Sequence, residues 1–376
     1  MSGLATTLAG RRIVVCVGSG GVGKTTTAAA LAVEAARRGR RTAVLTVDPA
    51  QRLKDALGLG TLSDVPRRVP LGRGVHLDAL LLDVKHTFDE LVRGLATTPE
   101  QAEAVLENRL YQNLSGTLAG SAEYMAVERV YRLAAEGPYD LLVVDTPPAR
   151  HAVDFLDAPR RLLALLDSRA FAILKDPTTI LPAAGSRLAH LVLSAVLHGL
   201  ERFTGLRLVR EIGEFIGAIE ALTDAFRSRI AAVGALLRSE DTQLLLVTAP
   251  EPRLVAETEA LSAALAGIGL GIGGIVVNRA LPRGLFGTAS AEPPPLEGIP
   301  APLAARLRRG YADLRLLAAR QEATLGPLVA HAHAPVVAEV PILPTDPSSL
   351  ADLAVIGRHL FPTPDAAATP ASGLGR

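Results

Sequence analysis

The chain has 376 residues, 49% of them hydrophobic, enough to bury one large core or a core with an appendage at the usual ~100–200 residues per domain. Lys and Arg number 39 against 38 Asp and Glu, a formal net charge of +1, which excludes a chain-wide attraction to nucleic acid or an anionic membrane and makes any phosphate recognition local. The single cysteine, Cys16, excludes an intrachain disulfide framework and any site built from several thiolates.

The opening MSGLATTLAGRR has no basic flank followed by an apolar core and a cleavage site, so a cytoplasmic protein is expected. The first strand-like run, RIVVCV (12–17), feeds GSGGVGKT (18–25) and then the Ala-rich TTAAALAVEAARR (26–38). This is G-x-x-x-x-G-K-[ST] in the strand–loop–helix setting that the phosphate-binding motif requires. Inward-turned amides of Gly20, Gly21, Val22 and Gly23, the helix N-terminus with Thr26 in its first turn, the Lys24 ammonium on the β/γ-phosphates and the Thr25 hydroxyl on Mg²⁺ form the expected nucleotide contacts. ATP and Mg²⁺ are the ligands to expect.

The second run, RTAVLTV (41–47), ends on Asp48 followed by Pro49. A carboxylate held there could orient or deprotonate a water for in-line attack on the γ-phosphorus, though Asp-Pro is also an ordinary turn signal. VHLDALLLD (75–83) is the third run, and YDLLVVD (139–145) the fourth, closing on Asp145. Asp145 is the metal-side candidate at the sheet's C-terminal edge, its alternative being a helix cap or a solvated strand end.

Between roughly 155 and 240 the strand signal disappears for longer than a crossover needs. Leu208, Ile212, Phe215, Ile219, Leu222 and Phe226 recur there at helical steps, and Pro177, Pro182 and Gly185 break the region. The stripe reads as an inserted helical subdomain, equally compatible with a client groove or with core packing on neighbouring helices. Its most apolar stretch, LAHLVLSAVLHGL (188–200), falls short of the roughly 20 residues a membrane span needs, so no integral membrane protein is expected.

Strand signals resume in TQLLLVTA (242–249), GIVVN (274–278) and VVAEVPIL (336–343). The buried β-branched runs alternating with helices predict an α/β fold, a three-layer wrap around a mostly parallel sheet. GTASAEPPPLEGIPAP (287–302) reads as a surface loop and PTPDAAATPASGLGR (362–376) as a disordered tail. The expected layout is an ATPase domain in two parts, 1–154 and 241–361, with the insert 155–240 between them and the tail 362–376 beyond.

GGVGKTTTAAALA, DPAQRLKDALG (48–58), DTPPARHAVDFL (145–156), VTAPEPRLVAETEAL (247–261) and VVNRAL (276–281) together resemble the arsenite-pump (ArsA) and guided-entry targeting ATPase family, in particular its cysteine-poor bacterial members. The resemblance implies an ATPase with Asp48 as the water-positioning carboxylate, Asp145 as the metal-side switch residue, Asn278 as the adenine-recognising asparagine and the loop after VPIL (340–343) in the base pocket. It implies a homodimer around two nucleotides, whose opening and closing drives inserted helices that bind a client or a membrane partner. A single copy of the glycine loop favours two chains. Two further readings are the energising subunit of an anion or metalloid exporter and a nucleotide-gated binding module with little turnover.

Three departures stand against the family pattern. Where the family's loop carries a signature lysine, this chain has Ser19, which brings no charge; Arg52 and Arg150, each beside a switch, are candidates to replace it, unless both are solvated surface arginines. Cys16 sits in a strand, where core packing is expected, so thiolate capture of arsenite or a shared zinc is not. The two methionines, Met1 and Met125, cannot line a methionine-rich groove.

His151, His331 and His333 lack acidic or thiol neighbours at ligand spacing and read as surface or packing residues. Basic pairs such as Arg37–Arg38 and Arg67–Arg68 are scattered without interleaved aromatics, against a nucleic-acid groove.

Overall fold

A computed structural model of the chain describes residues 3–48, 52–108, 112, 121–168, 222–281 and 296–362. Its strands are β1 (Ile13–Val17), β2 (Thr42–Thr46), β3 (Arg67–Gly72), β4 (Val75–Leu81), β5 (Leu141–Asp145), β6 (Thr242–Thr248), β7 (Ile272–Ala280) and β8 (Val336–Pro341). They form one sheet in the order β3-β4-β2-β5-β1-β6-β7-β8, parallel throughout except for the antiparallel β3–β4 pair. The seven runs read from sequence are all strands of this sheet.

β3 is the eighth and was not expected. Its RRVPLG carries two arginines and a proline and only Val69 is buried, the marks of an edge strand, where a missing N–H costs no ladder bond. It returns into β4 through a hairpin with Arg73 at φ 52° between Gly72 and Gly74, the tight-turn chemistry that could have revealed it.

The described helices are α1 (Leu4–Thr7), α2 (Lys24–Arg37), α3 (Arg52–Ala56), α4 (Val84–Leu95), α5 (Pro99–Leu106), α6 (Ser121–Glu136), α7 (Ala149–Leu166), α8 (Thr223–Arg238), α9 (Pro252–Gly267), α10 (Ala301–Ala332) and α11 (Leu350–Leu360). Every residue of β1, β2 and β5 is buried, as a parallel sheet covered on both faces requires. One face, through Val14, Cys16, Val44 and Val143, packs under the small side chains of α2, Ala28, Ala29 and Ala32 among them. Alanine suits that helix: it is the strongest helix former and lets a backbone lie close to the sheet.

The chain divides into two compact units. Unit 1 comprises Met1–Leu81, Gly137–Val153 and Glu240–Arg376; unit 2 comprises Leu82–Glu136 and Asp154–Ser239. The sheet lies in unit 1. Unit 2 is helical in its described residues, and draws in 82–136 as well as the later helices. Within it Leu222 packs with Val92, Ala102 and Val105, and Phe226 meets Tyr124 edge-on at 5.7 Å, so the end of the apolar stripe serves as core. Leu208, Ile212, Phe215, Ile219, Pro177, Pro182, Gly185 and the stretch 188–200 lie outside the described residues, as do 282–295 and the tail from 363. The presumed loop through 302 ends earlier, since α10 begins at Ala301 behind Pro300.

Candidate active site

β1 is the strand from which the chain proceeds to both sides, first to β2 beyond β5 and later to β6. A crevice at the C-terminal end of such a strand is where open α/β sheets place ligands. Gly18–Gly23 fill this switch point. A Cβ on Gly18, at φ 153°, would lie 2.1 Å from the Val247 carbonyl oxygen, and one on Gly23, at φ 89°, 2.3 Å from Asn278 Nδ2. The loop is thus pressed against β6 and β7, and only glycine fits at these two positions.

Register brings the remaining pieces level. Cys16 and Thr46 both pair with Asp145 across the adjacent strands, so the loop, the residues after β2 and the end of β5 share one edge. Asp145 is fully buried. Its carboxylate accepts from the Thr46 hydroxyl, 3.0 Å away, and is hydrogen-bonded to Thr25, while Oδ1 has no partner. Burial, the largest influence, pushes its pKa up to about 6 in spite of those bonds and of Lys24.

Lys24, 7% exposed, donates to the Ser19 carbonyl at 2.9 Å. Burial holds its pKa below the usual lysine value, with Asp145 and then Asp48 pulling the other way and Arg52 reinforcing the depression. Asp48 is half-buried, and its backbone N–H reaches Thr46 Oγ1 at 3.3 Å. Arg52 opens α3 and is exposed, within electrostatic range of Lys24. The side chain of Arg150 and all of Pro49 lie outside the described residues.

Asn278 stands at the end of β7, where its amide donates to the Val22 carbonyl at 2.8 Å and accepts from the Arg279 N–H at 3.0 Å. The neighbouring β8 runs alongside, Ala280 opposite Pro341, so the segment after VPIL emerges beside Asn278. Gly20, Gly21 and Val22 form the loop's turn, and Thr25 and Thr26 the first turn of α2.

Ser19 does not face outward. It is 1% exposed and its hydroxyl, like that of Thr248 at the end of β6, is buried without a partner. Cys16 is buried in β1, its thiol pKa pushed far up by burial and then by Asp145. His331 meets Glu259 at 3.1 Å, a partner far away in sequence that spacing did not offer.

Thr46, Thr146 and Thr248 were not singled out from sequence. Thr46 bridges the two acidic segments, and Thr146 Oγ1 donates to the Cys16 carbonyl at 2.7 Å. Their only signal was position, a threonine one or two residues from a strand-terminal aspartate or strand end.

The residues fit a magnesium nucleotide. A buried carboxylate oxygen without a donor, beside a threonine hydroxyl, is a hard-oxygen pair of the kind Mg²⁺ takes, and a glycine cradle at a helix N-terminus suits phosphate. Sheet order, cradle, buried lysine and strand-terminal aspartates define a P-loop nucleoside triphosphatase.

Comparison with known proteins narrows the class. The family model for the anion-transporting ATPases matches residues 11–285, and the chain belongs to that family, an ATP-hydrolysing enzyme. It is 27% identical over 273 residues to ATPase GET3 of Phaeosphaeria nodorum, covering 70% of this chain and 75% of that protein. It is 32% identical to the uncharacterized protein SCO2128 of Streptomyces coelicolor over 72% of this chain and 63% of that one, and 26% identical to ATPase GET3 of Chaetomium globosum over 70% and 71%.

Proposed function

We propose that the chain is a Mg²⁺-dependent ATPase acting in the cytoplasm as a nucleotide-driven homodimeric switch, which couples hydrolysis to movement of a helical region, 155–240, that binds a protein client or a membrane partner. The observation that supports it best is the convergence of Lys24, Thr25, Asp48 and Asp145 at the ends of three adjoining strands, with Asp145 Oδ1 buried and unpartnered. Lys24 and the amides of Gly20, Gly21, Val22 and Gly23 hold the phosphates, with Thr26 in the same helical turn. Thr25 and Asp145 would hold Mg²⁺, which would supply positive charge against the developing phosphate charge. Asp48 orients the attacking water and receives its proton, and Asn278 reads adenine once its amide exchanges the Val22 carbonyl for the base.

Coupling follows the chain. Asp145 leads through Pro147 and Pro148 into α7, the helix through which a displacement of the metal-side residue would pass onward along the chain. Single-turnover hydrolysis with and without Mg²⁺, paired with light scattering of Asp48→Asn in ATP and ADP, tests the reading. Magnesium-dependent cleavage and an ATP-favoured dimer are expected; cleavage without a nucleotide-dependent mass would remove the switch.

A second reading, a nucleotide-gated module with little turnover, draws on Ser19, which leaves the loop without a second cation. Arg52 and Arg150 are the candidates to supply one, and Arg52 lies within electrostatic range of Lys24. Arg52→Ala should lower kcat by about 10²-fold if it does, and unchanged steady-state turnover would discard that role. The exporter reading rests on the family description alone, and stimulation of hydrolysis by an oxyanion would favour it.

A further inference from the structure

Eight large apolar side chains stand exposed among the described residues, and five of them, Leu303, Leu307, Leu314, Leu316 and Leu317, lie on α10. Four fall on one stripe. Leu303, Leu307, Leu314 and Leu317 follow one another at steps of four, seven and three, which at 3.6 residues per turn keeps them on one side of the helix, with Gly310 among them. Each is 45–50% exposed in three cases, with Leu314 at 40%. Leu316 lies off the stripe.

The body of the protein holds α10 by its second half, where Gln321, Leu325, Leu328 and Ala332 are buried. In the first half Ala304 alone is buried. The apolar stripe there is bordered and backed by Arg306, Arg308, Arg309 and Arg320, all exposed, with Asp313 the one acidic side chain between 301 and 321. In a chain of net charge +1 this is a local concentration of positive charge on an amphipathic helix.

We propose that the first half of α10 lies in the plane of an anionic phospholipid surface, with its leucine stripe among the acyl chains and its arginines at the headgroups. Charge complementarity selects this occupant. Self-pairing along the stripe would bring the arginines of two copies together, with one aspartate per helix to offset them. Lipid phosphates accept the border arginines, which can extend to the headgroups while their stems stay on the apolar side, and the anionic surface attracts the backing ones at longer range. The helix does not cross the bilayer: no described helix is long and apolar enough to do so. The inference is independent of the nucleotide site and of residues 155–240.

Co-flotation of the full chain with vesicles tests it. Binding is expected to vesicles of mixed phosphatidylcholine and phosphatidylglycerol and not to phosphatidylcholine alone. Leu307→Glu with Leu314→Glu should abolish it, and Arg309→Gln should weaken it about fivefold, with ATP turnover unchanged in both because these side chains lie outside the catalytic machinery. Wild-type protein that fails to float with anionic vesicles overturns the proposal, as does undiminished flotation of the leucine variant. Absent flotation together with loss of dimer mass in the leucine variant overturns it in favour of self-pairing.

Discussion

At the scale of single residues, Asp145 is where burial and the proposed metal-side role oppose each other. Its pKa of about 6 lies above the 3.8 of a free aspartate, so ionisation penalises the fold: the stability this group confers is complete below about pH 4 and is lost as the pH rises through about 6. Asp145→Asn removes the penalty. Melts of the protein without metal or nucleotide should show the variant more stable above pH 6 by about 3 kcal/mol, the free energy of that pKa difference, with the gap closing near about pH 4. The same variant should lose magnesium-dependent turnover.

Asp48→Asn is expected to lower kcat by about 10²–10⁴-fold while leaving nucleotide affinity near wild type, as for a residue that acts on the water alone. Paired kcat and nucleotide-binding measurements decide that; a parallel loss of affinity would move Asp48 into a binding role. Gly18→Ala is a structural counterpart. With a Cβ 2.1 Å from a carbonyl oxygen, it should cost stability and nucleotide binding together, read by melts and titration calorimetry.

Among elements, legibility followed periodicity. The central strands β1, β2 and β5 were readable because two-sided burial writes them as continuous apolar runs, the outer ones as shorter apolar runs between helical segments, and the glycine loop because its spacing is tied to a strand and a helix. β3 was hidden because an edge strand needs neither apolarity nor alternation, and Arg67, Arg68 and Pro70 leave no apolar run to read. The candidate site was legible in its motif residues but not in what links them. Thr46 is an ordinary strand residue until register places it opposite Asp145, and the burial of Ser19 depends on how the loop folds against β6. Helix α11 offers a test at this scale. Ser349 and Asp352 form a reciprocal cap, so Ser349→Ala should lower unfolding free energy by about 1 kcal/mol in denaturant titrations without altering turnover.

For the whole molecule, the grouping of 82–136 with the later helices escaped the sequence because membership of a unit is decided by contacts distant in the chain. Leu222 finds Val92, Ala102 and Val105 across more than a hundred residues. Charge clusters also join distant segments: Glu90 takes Arg129 at 2.9 Å and Arg132 at 3.0 Å, while fully buried Glu128, which accepts from its helical neighbour Tyr124 at 3.3 Å, lies beside Arg229 from α8. Cys16 reports on the integrity of the sheet. Buried in β1 with its thiolate disfavoured, it should resist alkylation in the folded protein and react only at the rate of opening. Labelling that outpaces unfolding would show β1 to be accessible by local fluctuation.

The Thr46 hydroxyl possesses a single hydrogen. While that hydrogen points to Asp145, its lone pair faces the peptide nitrogen of Asp48, and the two acidic segments are held in one alignment. An Asp145 drawn away would leave the hydroxyl free to rotate, and the backbone carrying Asp48 would lose its fixed reference. With Asp48 and Asp145 in their proposed roles, this one hydroxyl makes the two halves of the chemistry answer to each other.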